Sequence, residues 1–136
     1  MYLKPESDCA IRMVMCLAEH GGQADIGVIA KSVRLNEQEI QQSAECLERA
    51  CIIRCMGSRC VLTRRPKELT VHEVLTAAGQ DMRFNCCTGT KKQCPRDAVE
   101  SCPVHRYYTY LQETLENDLE NKTFAALLAD KRGRIG

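Results

Sequence analysis

The sequence predicts a mainly α fold, a winged helix-turn-helix with a small β-hairpin wing and a long C-terminal dimerisation helix. Three observations predict it. Apolar residues recur at helical spacing from Ala10 to Cys51, broken by Gly21-Gly22 and Arg34-Leu35. Two short runs, Ile52 to Met56 and Arg59 to Thr63, flank Gly57-Ser58 and read as a hairpin. Val104, Tyr108, Leu111, Leu115 and Leu119 mark one stripe of a long helix, more apolar surface than one small winged helix can cover.

Each element follows from local signals. Ser7 reads as the N-cap of a first helix with Ala10, Met13, Val14, Leu17 and Ala18 inward. Asp25 caps a short second helix carrying Ile26, Ile29, Ala30 and Val33. Asn36 caps the third, with Glu39 in a capping box and Leu35 stapled on Ile40. Ile40, Ala44, Leu47 and Cys51 form its inner face, and the two short helices make a helix-turn-helix. After the hairpin, Thr70 and Glu73 form a second capping box, with Leu69 and Val74 as staple and Gly79 as stop. Thr123 caps a last short helix with Phe124, Leu127 and Leu128. The chain thus divides into a winged region at 1–79, a cysteine-rich loop at 80–103, the long and short helices at 104–130, and a polar tail at 131–136.

Composition narrows the classes. The 136 residues suit one domain with a modest core. The net charge of +1 names no partner, so any nucleic-acid site must come from local charge. Ten cysteines would fit a secreted disulfide scaffold, but the start has no apolar signal region. No apolar run approaches the ~20 residues of a membrane span. A cytoplasmic chain with clustered Cys and His reads instead as metal-binding or redox-active. No nucleophile–base arrangement or phosphate loop argues for an enzyme.

The densest signal is the loop. Cys86, Cys87, Cys94, Cys102 and His105 fall within twenty residues, around a polar segment holding Gly89 and Pro95. Thiolate sites select zinc or iron–sulfur clusters, and a structural zinc site prefers paired Cys-x-x-Cys motifs, absent here.

The order of elements, the Ser7-Asp8-Cys9-Ala10-Ile11-Arg12 start, the Arg65-Pro66-Lys67-Glu68-Leu69-Thr70-Val71-His72-Glu73-Val74 stretch and the cysteine spacing carry a resemblance. The chain resembles the Rrf-two family of bacterial transcription regulators, with IscR-like and NsrR-like members. The resemblance implies a homodimer on palindromic double-stranded promoter DNA, with a two-iron or four-iron iron–sulfur cluster in each loop. It implies Cys87 (or Cys86), Cys94 and Cys102 as ligands; Cys87 gives the shorter spacing. For the fourth ligand it offers His105, as in IscR-like members, or Asp8, as in NsrR-like ones. His105 is preferred, because its spacing from Cys102 puts the two on one helical face.

The DNA-reading end departs from the expected pattern. Glu37, Glu39, Glu45 and Glu48 sit on the recognition helix against one arginine. Its early turns offer Gln38, Gln41 and Gln42, and glutamine can read adenine. The wing holds Arg54, Arg59, Arg64, Arg65 and Lys67 with no acidic residue between, suited to phosphates. Its tip has a single glycine where family members carry several. Cys9, Cys16, Cys46 and Cys51 read as small buried hydrophobes, and Cys55 and Cys60 as cross-strand neighbours open to a redox disulfide.

Overall fold

In the computed structural model, residues 2–84 and 102–133 are described. Helix α1 (Pro5–Glu19) is the hub, because its apolar positions recur on more than one face. Ala10, Met13, Val14 and Leu17 are fully buried. Around it pack α2 (Ile26–Val33), α3 (Glu37–Arg49), α4 (Val71–Ala77) and α6 (Phe124–Gly133). The helix begins at Pro5 with Lys4 as N-cap, and not at Ser7. Proline is favoured at the first helical position, where its missing N–H costs nothing. Ser7 is instead buried inside the first turn.

The helix-turn-helix and wing form as expected, with one addition. Strands β2 (Ile53–Met56) and β3 (Arg59–Leu62) make the hairpin, and β1 (Gln23–Asp25) joins the other edge of β3. The sheet order is β1-β3-β2, antiparallel throughout, with Ala24 and Cys55 both registered on Cys60. Three residues are too few to show a period of two, so β1 left no trace in the sequence pattern. Asp25 takes the N-cap position of α2 but caps nothing; its carboxylate lies 3.4 Å from Arg59.

Four helices end the same way. Each closes with a left-handed residue and a six-to-one backbone bond: Gly22 to Leu17, Leu35 to Ala30, Ile52 to Leu47, and Gln80 to Leu75. The left-handed residue is Gly21 after α1 and Gly79 after α4, but Arg34 and Cys51 in the other two. Cys51 is thereby exposed beyond the end of α3, not on its inner face. Ser43 takes the buried place beside Ile40, Ala44 and Leu47. Cys9 and Cys16 are buried as small hydrophobes, while Cys46 is only half-buried.

The C-terminal helices divide their tasks. Phe124, fully buried, anchors α6, whose start is stitched to the α4 approach by Phe124 N–H to Leu69 (3.1 Å) and Ala125 N–H to Pro66 (3.1 Å). Thr123 caps it through the Ala126 N–H. The helix continues to Gly133, with Lys131 paired to Glu19, so residues 131–133 are helical; the rest of the expected polar tail lies outside the described residues. Helix α5 (Pro103–Asn121) packs on α4 and buries Gln112 alone among its residues. Val104, Tyr107 and Tyr110 stand exposed along it.

Candidate functional site

Helix α3 offers a polar outer face. Its capping box holds as read: Glu39 N–H donates to Asn36 (2.8 Å) and Asn36 donates back to Glu39 (2.9 Å). Gln38, Gln41 and Gln42 are all exposed, with Gln42 turned to a cleft against α1. Two of the four glutamates have structural partners. Glu39 closes the cap, and Glu48 accepts the Cys55 N–H at 3.1 Å, tying recognition helix to wing.

The wing arginines divide. Arg54 and Arg65 are exposed and ion-paired with nothing among the described residues. Arg59 is exposed but donates to Gln23 (3.1 Å) and lies against Asp25. Arg64 points inward: it ion-pairs with Glu73 and donates to the Glu68 carbonyl at 2.8 Å. The Arg64 guanidinium, first among the causes, holds the Glu73 carboxyl below its usual range. Glu73 also completes the Thr70 capping box, so Arg64 braces α4.

The cysteine loop is seen at both ends. Cys86, Cys87 and Cys94 lie outside the described residues. Cys102 is the N-cap of α5, its sulfur accepting the His105 N–H at 3.4 Å. His105 stands one turn on, half-buried, with Nε2 3.4 Å from Thr109 Oγ1. Its Nδ1 is buried without a hydrogen-bond partner among the described residues. Buried imidazole nitrogens are normally satisfied, so an orphaned one marks a place for a partner, a metal included. Among the described residues no three His, Cys, Asp or Glu side chains converge on a metal position.

Asp8 is elsewhere on its own chain. It pairs with Arg12 at 2.9 Å on α1, beside a cleft of about 360 Å³ also lined by Cys9, Glu39 and Cys46. No hydrogen bond or ion pair joins it to His105 or Cys102 among the described residues. Burial pushes the Cys9 and Cys16 thiols up, which suits packing over ligation.

Two residues that sequence reasoning passed over fix the loop entrance. Gln112, in the middle of α5, donates to the Met82 carbonyl at 2.6 Å and accepts the Phe84 N–H. Phe84 meets Tyr108 edge-on at 5.2 Å. Gln80 binds the other way, donating to the Tyr2 carbonyl (2.7 Å) and accepting the Lys4 N–H (3.1 Å). A glutamine one residue past the apolar stripe was the available signal for Gln112. The two described ends of the loop are therefore both held on α5, at Gln112 and at Cys102, nearly three turns apart.

A helix-turn-helix with a wing and a long appended helix defines a winged-helix transcription regulator. The family model described as Rrf2, iron-dependent transcriptional regulator, matches residues 3–130, and the chain belongs to that family. Its members are regulators and not enzymes. Among solved structures the chain is similar to CymR (YrzC), the global cysteine regulator of B. subtilis, with a TM-score of 0.76 at 14% identity, covering 95% of this chain and 97% of that one. It is similar to T. potens IscR, with a TM-score of 0.73 at 15% identity over 100% and 93% of the two chains. The oxidised form of Staphylococcus aureus CymR gives 0.69 at 14% identity, over 93% and 95%. At these identities the likeness speaks for the fold. No curated protein matches the sequence. Among the described residues no helix is long and apolar enough to cross a membrane.

Proposed function

We propose that the chain is a homodimeric regulator of palindromic promoter DNA whose affinity is set by an iron–sulfur cluster in the cysteine loop. Cys87 (or Cys86), Cys94, Cys102 and His105 are the ligands in this reading, with Asp8 of a second copy the alternate to His105. The observation that carries it is the buried Nδ1 of His105, without a partner among the described residues and one helical turn from Cys102. A cluster bound there supplies a labile corner open to oxygen, nitric oxide or iron loss.

The chain's own residues turn that chemistry into a conformational difference. Gln112, Phe84 and Cys102 hold both loop ends to α5. An ordered loop fixes how α5 meets the winged region through α4; a released loop does not. DNA affinity changes to the extent that the two states bind DNA differently. Gln38 and Gln41 face bases, and Arg54 and Arg65 face phosphates.

Protein purified without oxygen tests this by absorbance, iron analysis and electron paramagnetic resonance. A coloured, iron-containing protein whose spectrum changes in His105→Ala and not in Asp8→Ala is the expected result. Colourless protein that cannot be reconstituted overturns the cluster.

One alternative keeps the dimer and the DNA but drops the cluster in favour of thiol-redox or zinc response. The likeness to CymR, a cysteine regulator also solved in oxidised form, supports it. Iron-free protein that still binds DNA in a thiol-dependent way would establish it. A further alternative, an interaction protein that has lost DNA binding, drew on the acidic recognition helix. Neutral donors, Asn36 and the Cys55 N–H, give Glu39 and Glu48 structural roles but leave their charge in place.

A further inference from the structure

The wing carries a second pair of sulfurs that the loop reading does not use. Cys55 on β2 and Cys60 on β3 are registered partners, and their Sγ atoms stand 3.4 Å apart. A directly opposed pair in an antiparallel ladder alternates between hydrogen-bonded and non-hydrogen-bonded sites, and side chains approach more closely at the latter. Cys55 occupies such a site: its N–H turns away from β3 to the Glu48 carboxylate at 3.1 Å. The Cα separation expected there, ~4.5 Å, lies within the span a disulfide bridges.

The geometry points to a reversible thiol–disulfide site formed by Cys55 and Cys60 in the wing, taking a peroxide as oxidant. The two cysteines differ in the way such a pair needs. Cys60 is fully buried in the central strand, with Ala24 as its cross-strand neighbour on β1. Cys55 is half-buried on β2, an edge strand of the sheet, and so is the more accessible of the two. Burial, with Cys55 adding to it, pushes the Cys60 thiol up to about 12, so Cys60 stays protonated at neutral pH and is not the first nucleophile.

The steps balance. The Cys55 sulfur attacks one peroxide oxygen; the O–O bond breaks, and the departing hydroxide takes the thiol proton to leave as water. Cys55 is then a sulfenic acid. The Cys60 sulfur attacks the Cys55 sulfur, an S–S bond forms and the S–O bond breaks, and the second hydroxide takes the Cys60 proton. Two thiols and one hydrogen peroxide give one disulfide and two waters. A dithiol reductant returns both thiols. The ring so closed is short, and short rings add least stability. That fits a bond made and broken over a permanent staple. Closure pulls on β2 at the residue whose N–H is held by Glu48, and so on the last turn of α3.

The full chain treated with hydrogen peroxide, then alkylated and digested with trypsin, tests the pair directly. Trypsin cuts after Arg54, Arg59 and Arg64, so the two cysteines fall in separate peptides, 55–59 and 60–64. The expected product is these two peptides joined, two hydrogens lighter than their sum, and separated again by dithiothreitol. Cys60→Ala should leave Cys55 trapped as a sulfenic acid by dimedone, where the wild type is not. Cys55→Ser, a milder change, should leave Cys60 unoxidised. Unlinked peptides with Cys55 over-oxidised, or Cys55 joined to Cys51 or to a second copy, would overturn the assignment. None of these products involves the loop cysteines, so the result is separate from the colour and iron content that test the cluster.

Discussion

Arg54 and Arg64 look alike in the sequence, both arginines of one basic wing, yet they predict opposite experiments. Arg54 is exposed and unpaired among the described residues, so Arg54→Ala should weaken DNA binding evenly across sequences and lower the salt slope by about one. Arg64 is committed to Glu73 and the Glu68 carbonyl. Arg64→Ala should leave the salt slope alone and cost about 1 kcal/mol of stability or less, because the pair is partly solvated. Titration of melting temperature against binding separates the two. The same pair sets an acid limit. Glu73 has a folded-state pKa below its ordinary 4.5, so its contribution is present above 4.5 and is lost as pH falls through the lower, folded value. Glu73→Gln should therefore lose melting temperature less steeply than the wild type as pH falls from 4.5 through that lower value. Cys51 argues in the other direction. It holds a left-handed backbone at φ 60 where glycine is favoured, and its side chain is exposed. Cys51→Gly should stabilise by about 0.5–1 kcal/mol, read as a rise of about 2–4 °C by calorimetry.

At the scale of elements, α6 hangs on one side chain. Phe124 is fully buried against the core that α1, Leu69 and Leu75 build, and its own N–H binds the Leu69 carbonyl. Phe124→Ala should cost about 3–5 kcal/mol by chemical denaturation, close to the whole stability of many small domains. What the sequence could and could not say divides along the same line. Helices α1 to α5, the hairpin and both capping boxes were legible, because each rests on contacts within a few residues: Asn36 with Glu39, Thr70 with Glu73, Leu47 with Ile52. Features set by distant partners were not. Asp25 turns to Arg59, 34 residues away. Strand β1 exists because β3 offers an edge, and Arg64 is inward because Glu73 follows nine residues later. In the candidate site, the spacing of Cys102 and His105 was legible as an N-cap and a residue one turn into α5. Gln112, which pins the loop entrance across 30 residues, was not.

For the whole molecule the decisive surface is α5. A soluble helix normally turns one apolar stripe inward, but here the body covers only Gln112 fully. Val104, Tyr107 and Tyr110 stay 52%, 58% and 61% exposed, a row at three-residue spacing. Large aromatic side chains in such a row are the composition of an interface centre. A two-fold pairing through this face would set two α3 helices on successive major grooves, ~34 Å apart, which a single chain cannot span. Replacing both tyrosines, Tyr107→Glu with Tyr110→Glu, places unpaired charge where a second copy would seat, while leaving Tyr108 and Leu115 on the inner side. The variant should sediment as a monomer with its helical content intact. Its affinity for a palindrome should fall by about 10²–10⁴, the gain that joining two half-site contacts ordinarily provides, while a single half-site should bind variant and wild type alike. A variant that remains dimeric and binds the palindrome as before would place the dimer face elsewhere on the chain.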